Sequence, residues 1–341
     1  MLDTTAPVNE TERYWQPGYW KRRLVVRGHP EDFILGALPY LVLAILVVWL
    51  GSLVPESLTF DQATYIVGIE AVLILLGIGQ TIVVWTGGID LSIGGVLAVT
   101  NTIAATQMHT KGSMIGMCIL LVAISWIPGL VNGVLIAYGK LQPFIVTLAT
   151  WFIWDGIAFF VLKVAGGTID PSLAWLGAAS PLGVGTPIWL LGIVFVFALW
   201  FPKTRLGLEI RGVGSNHEAA FQTGIRTNRA LILAYVLSSV FAVLAGIFLS
   251  AQTLSGDPTV GDGYILTSVA ALVIGGTSLF GGRGSLVGTI AGALVLAYVY
   301  SVTFALQLAS QWALVADGAI LVLTVSLQLV VRLAFRRRGD A

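Results

Sequence analysis

Four carboxylates lie in or beside strongly apolar stretches. They are Glu70 in IVGIEAVLILL, Asp90 in GGIDLSIGG, Asp155 in ATWFIWDGIAFF and Asp317 in WALVADGAILVL. An ionisable side chain in an apolar surround is costly, so such a residue marks a functional position by default. Glu70, Asp155 and Asp317 have no Lys or Arg at similar depth. Two kinds of chemistry remain open for them: a proton relay, or acids hydrogen-bonded between helices. Gln80, Asn101, Asn132 and Gln252 are neutral companions in the same stretches. Amides of this kind can hydrogen-bond an uncharged, hydroxylated solute. Gln80, Asn101 and Asn132 are therefore the candidates for lining a path.

Catalytic and metal constellations are missing from the sequence. His29, His109 and His217 are far apart, and the chain has no HExxH, CxxC or GxSxG. No metal or catalytic residue is expected, and the chain is not expected to be an enzyme. GGTSLFGGRG (275–284) resembles a phosphate loop at first sight. It lacks the GKS or GKT ending that reaches phosphate and magnesium. It reads instead as a tight turn between two apolar segments, with Gly281 and Gly282 permitting close backbone approach.

Two polar stretches carry most of the information. In 203–229, NHEAAFQTGI reads as a short helix. Asn216 is placed to cap it, Glu218 favours the positive end of its dipole, Ala219 and Ala220 propagate it, and Gly224 ends it. So short a helix is not stable alone and must rest on something. In GGIDLSIGG, Asp90 is placed to cap a helix starting near Leu91. Gly87 and Gly88 allow the turn, and Gly94 with Gly95 lets a neighbouring helix approach. This stretch reads as a gate or hinge, in preference to a substrate site at a broken helix.

The elements that must position these residues follow from composition. The chain has 341 residues, 57% hydrophobic and only 10% charged, with a mean hydropathy of +0.91. Soluble domains carry about 25% charged residues, so lipid must solvate much of this one. A net charge of +1 leaves no basic face for nucleic acid, and the one cysteine, Cys118, excludes an internal disulfide. At about 20 residues per crossing, the expected all-α membrane segments are 34–54, 64–85, 92–109, 114–137, 143–163, 187–202, 229–250, 264–280, 286–307 and 312–332. Lys and Arg gather in alternate connections, which puts both termini and the 203–229 loop in the cytosol. Residues 1–33 read as a cytosolic arm rather than a secretory signal, because they are polar and mix both charge signs. Residues 34–332 form the transmembrane domain, and 333–341 a basic cytosolic tail. The connection 164–186 is rich in Gly and Pro and reads as an outer loop, either a docking surface or a tether.

Four stretches together resemble the ribose-type (monosaccharide) permease family of ABC importers. They are TGGIDLSIGGVLAV, NGVLIAYGKLQPFIVTLAT (132–150), VGSNHEAAFQTGI (213–225) and ALVIGGTSLFGGRGSLVGTIAGALVL (271–296). The resemblance covers about 64–330 and departs from the usual pattern at Gly95 and Ala149. It implies a multi-pass subunit of the bacterial inner membrane that pairs with a second permease. It also implies a cytosolic ATPase on the segment Asn216–Gly224 and a sugar-binding protein on the outside. ATP and magnesium would then belong to the ATPase, with no cofactor on this chain. An ion-coupled secondary carrier using Glu70, Asp155 or Asp317 is the alternative.

Overall fold

The computed structural model describes residues 30–309 and 311–339. The arm expected over residues 1–33 lies outside the described residues up to residue 29. Its last four residues already belong to the first helix. Among the described residues there are helices and no strands, and one isolated backbone bridge joins Gly166 and Gly256.

The helices are α1 (Pro30–Leu53), α2 (Phe60–Val84), α3 (Ser92–Gln107), α4 (Lys111–Ile124), α5 (Trp126–Ala137), α6 (Pro143–Val161) and α7 (Thr186–Trp200). They continue with α8 (Arg205–Ser215), α9 (His217–Gln222), α10 (Thr227–Thr253), α11 (Asp262–Ile274), α12 (Leu286–Ala305) and α13 (Gln311–Gly339). Seven apolar stretches among the described residues are long enough to cross a membrane: α1, α2, α4 with α5, α6, α7, α10 and α12. The protein is thus an all-α, polytopic membrane protein. α13 runs on to Gly339, so the basic residues expected in a separate tail continue a helix.

α2 is the hub. It is almost wholly buried, whereas α1, α6 and α7 expose most of their surface. α10, α12, α11 and α7 all pack against it. Small residues allow this crowding: Gly77 faces Thr289 of α12, and Gly79 faces the Ser238 backbone of α10. A hydrogen bond of 2.7 Å between the hydroxyls of Thr81 and Thr289 fastens α2 to α12.

The expected span 114–137 is not one straight helix. It breaks at Ser125, between α4 and α5. Pro128 cannot donate to the turn before it. Ser239 of α10 inserts into the break. Its hydroxyl accepts from the Gly129 N–H at 3.1 Å and donates to the Ser125 carbonyl at 2.7 Å. One side chain thereby replaces a helical backbone bond, a recognised cause of a kink.

Two expected spans are shorter than full crossings. α3 has 16 residues and α11 has 13, about 24 and 20 Å at 1.5 Å per residue. The expected helix 264–280 stops at Ile274, and 275–285 is a compact loop. Both short helices begin inside the bundle. At their starts Gly94 and Gly261 touch: a Cβ on Gly261 would lie 2.1 Å from the Gly94 carbonyl oxygen. Irregular backbone at this depth is tolerated only where protein groups satisfy it. Asn101 does so for the stretch before α11. Its amide donates to Ser250 Oγ (3.0 Å) and the Ser255 carbonyl (3.1 Å), and accepts from the Asp257 N–H (2.8 Å).

The connection 164–186 is also more ordered than a plain loop. It contains short helical turns at Pro171–Ala174, Trp175–Ala178 and Pro181–Gly183. The Thr168 N–H donates to the Ala105 carbonyl, and the Asp170 N–H to the Met108 carbonyl. Asp170 accepts from the N–H and hydroxyl of Ser172, and these bonds pull its pKa below the usual carboxylate value.

Candidate functional site: a buried clamp beneath a capped helix

The stretch GGIDLSIGG folds into a turn and then a buried clamp. Asp90 is 1% exposed. Its Oδ1 accepts from the Ser92 N–H (3.0 Å) and hydroxyl (2.6 Å), and its Oδ2 from the Ser238 hydroxyl (2.8 Å). Ser92 Oγ accepts from the Asn132 amide at 2.8 Å, and the Asn132 carbonyl oxygen accepts from the Thr150 hydroxyl at 2.8 Å. Thr147, one turn before Thr150, donates to the Ile89 carbonyl at 3.0 Å. A continuous buried chain therefore ties α10, the start of α3, α5 and α6 together. The capping role expected of Asp90 is present. Asp90 is sealed among these helices and does not open to solvent.

Gly88 leaves room for Tyr235, whose hydroxyl would lie 2.3 Å from a Cβ there. Gly94 has the same function toward Ile265 and Gly261, and Gly95 toward Trp151 and Trp154. The three amides expected to line a path are instead sealed. Gln80 and Asn132 are 0% exposed and Asn101 1%. Asn101 and Asn132 spend their polar atoms on neighbouring segments, whereas Gln80, within α2, keeps both amide atoms unpartnered but closed to solvent. Of the three carboxylates open to a relay, Glu70 and Asp317 lie close enough to interact, whereas Asp155 stands apart from both and beside Asp262.

The end of the bundle that carries 203–229 holds the second part of the site. α9 forms as the sequence suggests. Asn216 Oδ1 accepts from the Ala219 N–H at 3.0 Å, and Gly224, at φ +84°, follows its end. Ala220 is buried, while Asn216, Glu218 and Ala219 are exposed. Phe221 is 70% exposed. The sequence gives little sign of this exposed ring, since Phe221 follows the buried Ala220 and precedes Gln222.

α8 is not marked in the sequence, because its three glycines and its charges look like linker. Thr204 caps it through the Gly207 N–H at 3.1 Å, and Gly207, Ile210 and Val213 are buried on one face. Arg205 pairs with Glu209 at 2.8 Å on the exposed side. Arg211 turns inward. Its guanidinium carbon lies 4.0 Å from the centre of the Trp85 ring, and Nη2 donates to the Gly284 carbonyl at 2.7 Å. Burial pulls its pKa down, yet an arginine side chain stays charged in proteins. A desolvated cation over a tryptophan face is worth about 2 kcal/mol.

Three sequence motifs converge there. The Gly282 N–H donates to the Trp85 carbonyl at 2.9 Å. A Cβ on Gly281 would lie 2.9 Å from both the Gly214 carbonyl oxygen and the Gly87 nitrogen. Gly87 and Gly281 both have φ of +85°, the left-handed region that glycine alone enters freely. So the turn after α2, the end of α8 and the loop before α12 meet backbone to backbone.

Long apolar helices bound to one another by buried polar contacts make this an integral membrane bundle. The chain belongs to the family described as branched-chain amino acid transport system / permease component, whose model matches residues 62–325. Its ribose-type character, read from four stretches, is borne out by its relatives. It is 35% identical over 292 residues to the ribose import permease protein RbsC of Escherichia coli K12, covering 84% of this chain and 91% of that protein. It is 32% identical over 302 residues to the D-allose transport system permease protein AlsC of the same strain, covering 86% and 91%. It is 34% identical over 274 residues to the galactofuranose transporter permease protein YtfT, also of that strain, covering 76% and 80%. No solved structure matches the chain. The protein is a multi-pass ABC permease subunit of the bacterial inner membrane.

Proposed function

We propose that this chain is the membrane-spanning subunit of an ATP-driven, binding-protein-dependent importer of a monosaccharide or related polyol. The observation that carries the reading is α9: a capped two-turn helix, held against the bundle by Ala220, with Phe221 and Glu218 exposed. Such a helix suits a groove on a cytosolic ATPase, which would hold ATP and magnesium. The names of the relatives supply the sugar class.

The remaining parts follow from charge and shape. Lys140, Lys203, Arg205, Arg211, Arg226 and Arg283 lie in connections at the α9 end. Glu56, Asp170 and Asp257 lie in connections at the other end, with Lys111 and Lys163 as its cations. This bias supports a cytosolic α9 and cytosolic termini, with ten membrane segments once α3, α11 and α13 are counted. The ordered 164–186 connection then faces outward, where a sugar-binding protein would dock. Two copies, or two related permeases, would enclose the path. A path along the α3–α6–α11 face would present Asp155, Asp262 and the Trp151 ring. Carboxylates accept from sugar hydroxyls and aromatic rings cover sugar faces, so this face suits a neutral polyol better than the sealed Gln80, Asn101 and Asn132.

The test is gentle solubilisation from the native membrane and mass spectrometry of what co-purifies. A Walker-motif ATPase with the wild type, lost in Glu218→Arg and Phe221→Ala, is the expected result. A chain that is repeatedly free of any ATPase, under conditions that keep other ABC complexes whole, would overturn the reading.

A further inference from the structure

α9 touches the bundle lightly, whereas the clamp around Asp90 lies inside it. Something must connect them if movement at α9 is to reach the clamp. The helix that leads into α9 is α8, and its one inward cation is Arg211. Arg211 has no carboxylate partner; among the described residues the ion pair on α8 is Arg205–Glu209. Arg211 holds two things instead: the Trp85 ring at 4.0 Å and the Gly284 carbonyl at 2.7 Å.

Both of these belong to the machinery of the clamp. Trp85 is fully buried and closes α2, five residues before Asp90. It stacks on Phe201, with ring centres 6.4 Å apart and planes 7° apart, and Phe201 stacks on Phe197 at 5.0 Å. Phe197 in turn meets Phe241 of α10 at 5.3 Å, one turn beyond Ser238, which holds Asp90. Gly284 closes the loop whose Gly282 N–H holds the Trp85 carbonyl. Gly214 removes the last gap, since a Cβ there would overlap the Trp85 carbonyl oxygen. A rigid displacement of α8 cannot slide past this junction. It must carry Trp85, and the turn 86–91 that follows, with it.

We infer that Arg211 is the positioning residue that transmits ATPase-driven movement of α8 and α9 to the Asp90 clamp, through the Trp85 ring and the Gly284 carbonyl. This rests on the reading of α9 as the ATPase dock. Arg211 points inward onto Trp85 and the Gly284 carbonyl rather than out along the exposed face of α9. Its loss should uncouple hydrolysis from transport without undocking the ATPase.

The experiment uses the complete transporter, permease with its ATPase and binding protein, in proteoliposomes. ATP hydrolysis and uptake of the transported sugar, drawn from D-ribose, D-allose and galactofuranose, are measured together for wild type, Arg211→Gln, Arg211→Lys and Trp85→Phe. Sugar moved per ATP is expected to fall about tenfold in Arg211→Gln, within the usual range of coupling between sites, with ATPase still bound. Arg211→Lys keeps the charge and recovers part of the ratio, and Trp85→Phe, which keeps a ring, falls less than Arg211→Gln. Hydrolysis and uptake that decline in equal proportion in Arg211→Gln and Trp85→Phe, or an unchanged ratio, would overturn the inference and leave the dock intact. A wild-type chain that holds no ATPase would overturn the docking reading and this inference with it.

Discussion

Replacing Asp90 by alanine strips the acceptor from three donors at once: the Ser92 N–H, the Ser92 hydroxyl and the Ser238 hydroxyl. An interhelical hydrogen bond in a membrane protein is worth about 0.6 kcal/mol on average and about 1.7 at most. The Ser238 hydroxyl can turn back onto its own helix. The Ser92 N–H lies in the first turn of α3 and has no such recourse, and an orphaned buried donor costs about 1–3 kcal/mol. Together these give about 2–6 kcal/mol for Asp90→Ala. Asp90→Asn differs in one respect. Its oxygen keeps both bonds from Ser92, and its amide can donate to Ser238 Oγ, which is free to accept. That variant should fall within about 1 kcal/mol of wild type. The measurement is the fraction of purified protein that stays monodisperse after heating, by size-exclusion chromatography. Asp90→Ala should lose several degrees and Asp90→Asn little. Equal damage in both would mean that the charge, and not the hydrogen-bond count, holds the clamp. Wild-type behaviour in both would refute the clamp outright.

Two further outcomes follow from the same geometry. Asn216→Ala removes the cap of α9 and should cost that helix about 1 kcal/mol, seen as weaker ATPase binding in a pull-down while the thermal midpoint of the bundle stays put. Asp170 is depressed by its bonds from Ser172, so its contribution is fully present above the ordinary carboxylate pKa and is lost as pH falls through the lower folded value. Hydrogen exchange in 168–175, corrected for its intrinsic pH dependence, should show protection flat at neutral pH and failing only in that acid window.

Much of this fold is written in patterns that survive without an alignment. Runs of apolar residues mark the long helices within a few positions, because a membrane crossing has a fixed length. α9 was readable because Asn216, Glu218 and Gly224 signal its two ends by local chemistry. What escaped reading depends on tertiary partners. α3 and α11 have the composition of ordinary spans. Only the contact of Gly94 with Gly261 and the anchoring by Asn101 make a half-length helix viable. Asn132 looked like a path residue, because sequence gives an amide's polarity and not its neighbours. α8 escaped because glycines that read as flexible are required by the close approach of Gly207 and Gly214 to the bundle. Arg211 read as one more positive-inside charge, since nothing local announces that it turns inward onto Trp85.

The kink at Ser125 also sets an order of events during synthesis. Its wedge, Ser239, is made 110 residues after Gly129. At 5–20 residues per second on the ribosome, that is a delay of roughly 5–20 s. Through that interval the Gly129 N–H and the Ser125 carbonyl are in the membrane without Ser239, and their cheapest partners are each other. The nascent α4–α5 segment therefore enters the membrane straighter than it will finish. It bends when α10 arrives, and at that moment the neighbouring Ser238 also reaches Asp90. A helix from the last third of the chain thus completes the shape of segments made well before it.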